Sequence, residues 1–526
     1  MARRHKKSRT FKRADYAAIL EQTVRLGDVL PPEHLARFVV DAVAQLNLRS
    51  IYGRYGTRGG QPYAPEILAG LLVYGYATGV FSSRKIEGAT YEVLPFRYIA
   101  GNLHPDHDTI AHFRKTFLSE VQDIFVQVLL LAQVMGLLHL GNISLDGTKI
   151  HADASKSKAV SYKRLLELET QLRAEVAELF ALAEQADQSA LPAEMVIADE
   201  ISRREAQVAR LAEAKAVLEA RAKERDAAEQ AIYDAKVRAR EEKAARTGRR
   251  PGGRAPTPPT PGARETDQYN FTDPDARIMK NPTNKGMEQH YNAQVAVEQE
   301  SLLIVGCAVS NHPNDQHEAD PTLDAIPAAV GVPTAAALDT GYFSVANIAA
   351  CERRGIEPYI ATGRTGHHQG WQAHFAAQPA PPPAEASPKE QMAYKLQTEV
   401  GRAIYRRRKC TVEPVFGCLK EVLGFRQFSL RGLEAAAGEW CLLCLARNLK
   451  RLHVLSLAQQ RPLPVAPAAG VVQPASVGIW TPVSLWSSLF WLAAAVVRGP
   501  QRVIRVGQKA RCLLPDRPWA FSPTSC

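Results

Sequence analysis

Three acidic residues stand in settings that suit metal-dependent chemistry on phosphates. Asp146 interrupts an alternating segment, Asn142-Ile143-Ser144-Leu145-Asp146, and is followed by Gly147. Asp339 ends an apolar run, Pro333-Thr334-Ala335-Ala336-Ala337-Leu338, and is followed by Thr340-Gly341-Tyr342-Phe343-Ser344. Glu413 lies in Thr411-Val412-Glu413-Pro414-Val415-Phe416-Gly417, in the first turn of an expected helix, with Lys420 two turns later on the same face. An acid at a strand end beside a small residue leaves room for a metal ion and a phosphate. Taken singly, Asp146 or Glu413 is more simply a cap or turn residue. Three carboxylates from separate segments, if they converge, are what two Mg²⁺ ions need: hard cations that take oxygen ligands and few carboxylates. Mn²⁺ can replace them. A metal pair about 4 Å apart activates an attacking oxygen and stabilises a leaving one.

The elements that must position these acids read as a mixed α/β core. Strand patterns occur at Tyr291-Asn292-Ala293-Gln294-Val295-Ala296-Val297-Glu298 and at Leu302-Leu303-Ile304-Val305-Gly306-Cys307-Ala308-Val309. A buried strand leads to Asp339, a helix follows over Val345-Ala346-Asn347-Ile348-Ala349-Ala350-Cys351, and a short strand covers Pro358-Tyr359-Ile360-Ala361. Helices are expected over 405–423 and 440–452. This order of strands and helices predicts a mixed α/β layer structure.

Ahead of that core the chain reads as helical to about Leu140. Pro65 opens an apolar run, Ser82 or Ser83 caps the next helix, and Asp106-His107-Asp108-Thr109 precedes a third. That third helix places Ile110, Phe113 and Phe117 on one face and leaves His107, Arg114 and Lys115 outside the stripe. Short helices with a basic polar face suit a helix-turn-helix-like module; a plain bundle with solvated cations has the same pattern. Between Ser161 and Arg249 an Ala-, Glu-, Lys- and Arg-rich stretch predicts a helical hairpin broken near Leu191-Pro192, with no sustained heptad. A Pro/Gly linker follows, too poor in apolar residues to pack, and 363–398 reads as a flexible loop rich in His, Gln, Ala and Pro.

Composition narrows the function classes. The chain has 526 residues, 46% of them hydrophobic, which excludes wholesale disorder and a collagen-like fibre. Eight cysteines in such a length are no disulfide scaffold and fit a reducing cytosol. The 65 Lys plus Arg against 54 Asp plus Glu, a formal charge of +11, point to a polyanionic partner, nucleic acid first. The basic start, Met1-Ala2-Arg3-Arg4-His5-Lys6-Lys7, leads into no apolar region and suits an arm on phosphates. Val477 to Val497 carries no charge, but Pro482 and several Ser/Thr interrupt it and no second span exists, so it is not assigned to a membrane.

The ordered set of motifs resembles the DDE-type insertion-sequence transposases, in the branch called insertion sequence eleven-eighty-two. Its pieces are Leu30-Pro31-Pro32-Glu33-His34-Leu35-Ala36, Tyr74-Gly75-Tyr76-Ala77-Thr78-Gly79, Ser82-Ser83-Arg84-Lys85-Ile86-Glu87, Arg97-Tyr98-Ile99-Ala100-Gly101-Asn102 and Pro105-Asp106-His107-Asp108-Thr109-Ile110. Leu145-Asp146-Gly147-Thr148-Lys149, Asp273-Pro274-Asp275-Ala276-Arg277-Ile278-Met279, Tyr291-Asn292-Ala293-Gln294, Asp339-Thr340-Gly341-Tyr342-Phe343-Ser344 and Val412-Glu413-Pro414-Val415-Phe416-Gly417 complete it. The resemblance implies a ribonuclease-H-like mixed sheet with flanking helices, an N-terminal all-α DNA-binding domain and a long helical insertion. It implies Asp146, Asp339 and Glu413 as the metal-binding triad. Such enzymes hydrolyse phosphodiester bonds at transposon ends, and the freed 3′-hydroxyl then attacks target DNA. The family's Tyr, Arg, Glu, Lys signature falls on Tyr405, Glu413 and Lys420; its Arg slot is Lys409 by strict spacing, with Arg408 adjacent. Cations at Arg408 and Lys420 would hold backbone phosphate, and Tyr405 is either a base-stacking or a core aromatic.

The expected organisation is a basic arm (1–28), a DNA-binding domain (29–140) using Arg84, Lys85, His107, Arg114 and Lys115, and a first core segment (141–160). The helical insertion (161–249), linker (250–268), remaining core (269–455) and an atypical tail (456–526) follow. The partners expected are double-stranded DNA, as inverted-repeat ends and target, and a second copy in synapsis; the setting is cytoplasmic, at the nucleoid. Asp153 competes with Asp146 for the first acid, but lacks its strand-plus-glycine setting. Asp315 reads as a turn or phosphate-site neighbour, Cys441 and Cys444 as buried thiols, and His367-His368 as solvated. Two functions remain: an active transposase, or a decayed or repurposed copy that still recognises DNA ends. The tail, with four of the six Trp after Gly478, matches nothing in the resemblance and suits a disrupted or shifted reading frame.

Overall fold

The computed structural model describes residues 11–16, 25–56, 60–186, 197–249, 252–281, 286–363, 380–383 and 385–460. The tail from residue 461 on (including the segment 477–497), His367-His368 and most of the basic arm lie outside the described residues. Among the described residues no single helix is long and apolar enough to cross a membrane; one bent pair, His107–Thr116 with Leu118–Val134, passes by length and composition only.

The N-terminal helices are α1 (Leu35–Ala44), α2 (Arg49–Gly53), α3 (Pro65–Thr78), α4 (Ser83–Glu92), α5 (Leu94–Ile99), α6 (His107–Thr116) and α7 (Leu118–Val134). Local chemistry sets their ends. Pro65 occupies the first turn of α3, where a missing N–H costs nothing, and Gly79 closes it in the left-handed conformation at φ +84°. Asp106 caps α6, its carboxylate accepting from the Thr109 N–H at 2.7 Å. Ser82 holds the cap position of α4 without a side-chain bond.

Strand β1 (Asn142–His151) follows, then the short β2 (Ala159–Ser161). Helices α8 (Tyr162–Ala186) and α9 (Ile197–Thr247) pack together as the expected hairpin, their connection lying outside the described residues. A small core of Val160, Leu165, Leu211, Ala214 and Leu218 joins them. Arg204 to Glu175 at 2.7 Å and Lys215 to Glu169 at 3.3 Å bridge their polar sides. The linker behaves otherwise than its composition predicts. It lies along α9 on polar bonds: Arg225 and Arg240 donate to the carbonyls of Gly262 and Gly253, and Asp226 accepts from the Gly262 N–H.

The core sheet is built from β1, β4 (Arg277–Lys280), β5 (Met287–Glu298), β6 (Ile304–Ser310), β7 (Ala335–Leu338) and β8 (Glu357–Ile360), while β3 (Gln268–Asn270) pairs with β2. The order is β4-β5-β1-β7-β8, with β6 also on β5. β5 runs antiparallel to β1, and β7 and β8 run parallel to it. The parallel half reads as continuous apolar residues because helices cover both faces. The helices on the sheet are α10 (Ala319–Asp324) and α14 (Leu433–Ala458), which contact β6, and α11 (Val345–Arg353), α12 (Pro388–Gln397) and α13 (Glu399–Gly417), which contact β8. A mixed sheet flanked by helices is consistent with a ribonuclease-H-like core.

The 363–398 loop is corrected in part. Its last residues form α12, opened by a capping box in which Ser387 and Glu390 bond reciprocally, with Pro388 in the first turn. Met392 of this helix is buried and its sulfur meets the Ile360 N–H at 3.4 Å. α14 joins the two halves of the chain, packing on α3 and α7 on one side and β6 on the other.

Candidate active site

Strand register brings the first two acids together. β1 and β7 pair with Ser144 opposite Ala337, and residues two further along point to the same face. That rule sets Asp339, just past the end of β7, beside Asp146. Asp339 then caps the turn Thr340–Tyr342, accepting from the Gly341 N–H at 2.8 Å. The short apolar β7 places no other acid near this end.

Helix α13 packs across β1, β5, β7 and β8 and supplies a cation. Arg408, 8% exposed, donates from Nη1 to Asp146 Oδ2 at 2.9 Å. Of the two residues for the family's arginine slot, it is Arg408 that meets the acid; Lys409 is exposed. The Asp146 carboxyl is pushed up to about 6. Burial is the main cause, Arg408 opposes it, and the charges of Asp339 and Asp315 add to it. Tyr405 sits with its ring centre 6.0 Å from the Arg408 guanidinium. Burial raises its hydroxyl, Arg408 lowers it, and Asp339 and Asp146 raise it again.

A polar network behind β1 went unread in the sequence. Asp315 Oδ1 accepts from Asn292 Nδ2 at 2.7 Å and from Gln294 Nε2 at 2.9 Å. Lys149 approaches the same oxygen at 3.6 Å. Gln294 Oε1 accepts from the Tyr342 hydroxyl, and its carbonyl accepts from Trp440 Nε1 at 3.0 Å. Asn292 and Gln294 are fully buried. The available signal was polar residues in an otherwise apolar strand, Tyr291-Asn292-Ala293-Gln294, a pattern that needs buried partners. The glycine beside Asp146 also has a different reason from the one expected. A Cβ on Gly147 would lie 2.2 Å from Gln294 Nε2 and 2.9 Å from Asp315 Oδ1. This network, rather than open space, fills the gap.

The other expected residues divide. Glu413 is exposed on α13, five residues beyond Arg408 and near the helix's C-terminal end rather than in its first turn, and its side chain makes no hydrogen bond or ion pair among the described residues. Lys420 lies in the wide turn Cys418–Val422 and donates to the Lys149 carbonyl at 3.0 Å, which ties it to β1. Arg84, Lys85 and Lys115 are exposed. His107 is half-buried, its Nδ1 2.8 Å from Glu87 Oε2. Arg114 departs from the basic face assigned to it. It is buried, donates to the Tyr76 hydroxyl at 3.0 Å and the Phe81 carbonyl at 3.1 Å, and lies 4.0 Å from the buried Glu439. The helical pattern of α6 alone cannot show that α3 and α14 cover its flank. Asp153 is ion-paired to Arg431 at 2.8 Å. Cys441 and Cys444 are buried free thiols beside Cys307, and the contact with Cys307, with burial added, raises the Cys441 thiol well above its ordinary value.

The donor set of Asp146 and Asp339 fits a hard divalent cation. Burial above all, with the charge of Asp339 adding to it, pushes Asp146 toward protonation, and a cation between the two carboxylates would relieve that cost.

Comparison with known families adds two matches. Residues 24–116 match a transposase domain, and residues 257–449 match the transposase DDE domain, a span that holds Asp339, Arg408 and Glu413. No curated protein and no solved structure matches the chain. With both domains in place, in the order the motifs run, the chain belongs to the DDE-type insertion-sequence transposases.

Proposed function

We propose that this transposase, of the insertion sequence eleven-eighty-two branch, binds the inverted-repeat ends of its element and cleaves and joins DNA strands at the Asp146–Asp339 site with a divalent metal, Mg²⁺ or Mn²⁺. The observation that carries the reading is the pair of adjacent carboxylates with one buried arginine on Asp146. Asp146 and Asp339 would hold the ion, and Glu413, exposed on α13, would complete the set. A bound divalent ion supplies charge neutralisation at the phosphate and lowers the pKa of the attacking water.

The chain's own residues do the rest. Arg408 favours the ionised form of Asp146, the form able to ligate a metal. Lys420, fixed to the β1 backbone through the Lys149 carbonyl, is assigned to backbone phosphate. Tyr405 offers a ring for an unpaired end base. Arg84, Lys85 and Lys115, with His107 nearby, are assigned to duplex phosphates, as are Arg402, Arg406, Arg407 and Lys409 on α13. Synapsis of two ends calls for a second copy.

The test is cleavage of end-containing duplex DNA with Mg²⁺ by the wild type and by Asp146→Asn. Cutting by the wild type alone supports the proposal. Equal cutting by both would overturn the site assignment. End binding by the wild type with no cutting would favour the second reading, a copy that recognises DNA without catalysis.

A further inference from the structure

A second group of metal-ligand side chains lies at the far end of β1. His151, the last residue of the strand, pairs in register with His290 of β5, and their rings are 4.3 Å apart. Glu288 precedes His290 by two residues and so shares its face. One donor atom from each of the three lies within 4.8 Å of the others. Glu288 Oε2 is 3.6 Å from His151 Nε2 and 4.0 Å from His290 Nε2.

We propose that His151, Glu288 and His290 form a second metal centre, a two-histidine, one-carboxylate site for a borderline-soft divalent cation of the Zn²⁺ class. Zinc takes imidazole nitrogen at about 2.0–2.1 Å and carboxylate oxygen at about 2.0–2.2 Å, usually tetrahedrally. Donors in such a centre sit roughly 3.4 Å apart, so the three side chains need only small movements to close on an ion.

The surroundings prepare the donors. His290 Nδ1 lies 2.9 Å from the Glu288 carbonyl, the arrangement that places a proton on Nδ1 and leaves the Nε2 lone pair facing the carboxylate. His290 is only 1% exposed, and burial favours its neutral, ligating form. Asn281 Nδ2 donates to Glu288 Oε2 at 2.7 Å and orients the carboxylate. The His151 and Glu288 side chains are 38% and 30% exposed, which gives an ion an entry path and leaves a fourth position for water. The site is five residues beyond Asp146 along β1, about 16 Å at ~3.3 Å per residue. It would also hold the segment after Lys420: the His151 N–H donates to the Arg426 carbonyl at 3.1 Å, and the Phe428 N–H to the His151 carbonyl at 2.8 Å.

The test uses the full chain carrying Asp146→Asn and Asp339→Asn, so that the acidic pair no longer competes. Co²⁺ is titrated while its visible d–d band is followed, and Zn²⁺ is then added as competitor. The expected result is one equivalent of Co²⁺, displaced by Zn²⁺. His151→Gln or Glu288→Gln, added singly, should weaken binding at least tenfold. Both positions are partly exposed, so the melting temperature in chelator should stay unchanged and separate ligand loss from misfolding. Absence of saturable Co²⁺ binding in the parent overturns the proposal, as does unchanged affinity in both variants.

Discussion

Arg408 Nη1 lies 2.9 Å from Asp146 Oδ2, joining residues 262 apart in the chain. One guanidinium thereby faces the carboxylate that burial, Asp339 and Asp315 all push toward protonation. Arg408 itself is held in the charged form by Asp146, Tyr405 and Asp339, against the cost of burial. The pair is the electrostatic link between helix α13 and the sheet.

Replacing Arg408 with Gln removes a cation whose charge opposes the protonation of Asp146. The Asp146 carboxyl should then titrate still higher than about 6. Mn²⁺ binding near neutral pH should weaken by about tenfold or more, because the ion must displace a proton. Titration of Mn²⁺ by electron paramagnetic resonance at several pH values reads this directly. An unchanged pH midpoint in the variant would count against the role given to Arg408.

The pH dependence of stability follows from the same shift. Asp146 moves from 3.8 unfolded to about 6 folded, so folding favours its protonated form. In metal-free protein that contribution is full below pH 3.8 and is lost as pH rises through about 6. A divalent cation should offset the loss above that point. Calorimetry with and without Mg²⁺ should therefore show a larger rise in melting temperature at pH 8 than at pH 5. A rise independent of pH would contradict this.

Gly147→Ala puts a methyl group where Gln294 Nε2 would be 2.2 Å away. The Gln294 amide must move, which breaks its bonds to Asp315 and Tyr342 and leaves buried polar atoms unpaired. The expected cost is about 2–4 kcal/mol of stability, with loss of strand cleavage. Chemical denaturation and the cleavage assay check the two effects separately. A variant as stable as the wild type would show that the network has room to relax.

Arg114 and Lys115 are neighbours with opposite expected phenotypes. Arg114→Ala leaves Glu439 buried without its cation and should cost about 3 kcal/mol. Lys115→Ala should leave stability unchanged and weaken DNA binding uniformly across sequences, lowering the salt slope by about one. Thermal melts and salt-dependent binding isotherms distinguish them. A stability loss from Lys115→Ala, with none from Arg114→Ala, would reverse the assignment.

Much of the architecture was legible locally. Alternation marked β1, apolar runs marked β5 to β8, and helical periodicity marked the N-terminal bundle and the α8–α9 hairpin. These patterns follow from which face of each element is buried, so they are written in consecutive residues. The short β4 carried too few residues to announce itself. Helix α12 was hidden by its proline-rich approach, although the Ser387–Glu390 capping box is a local signal. Asn292, Gln294, Asp315 and their partners come from β1, β5, the segment after β6, the Thr340–Tyr342 turn and α14, so no window of sequence contains them.

By itself the sequence determined the family, through an ordered set of motifs, and the candidate acids, through their strand and helix settings. The tertiary structure alone decided which groups meet. Register between β1 and β7 set Asp339 beside Asp146, and the rotation of α13 turned Arg408, rather than Lys409, toward that acid. Packing of α3 and α14 buried Arg114, and the Gln294–Asp315 network claimed the space next to Gly147. Register and helix rotation are fixed by contacts between residues far apart in the chain, and local periodicity carries no information about them.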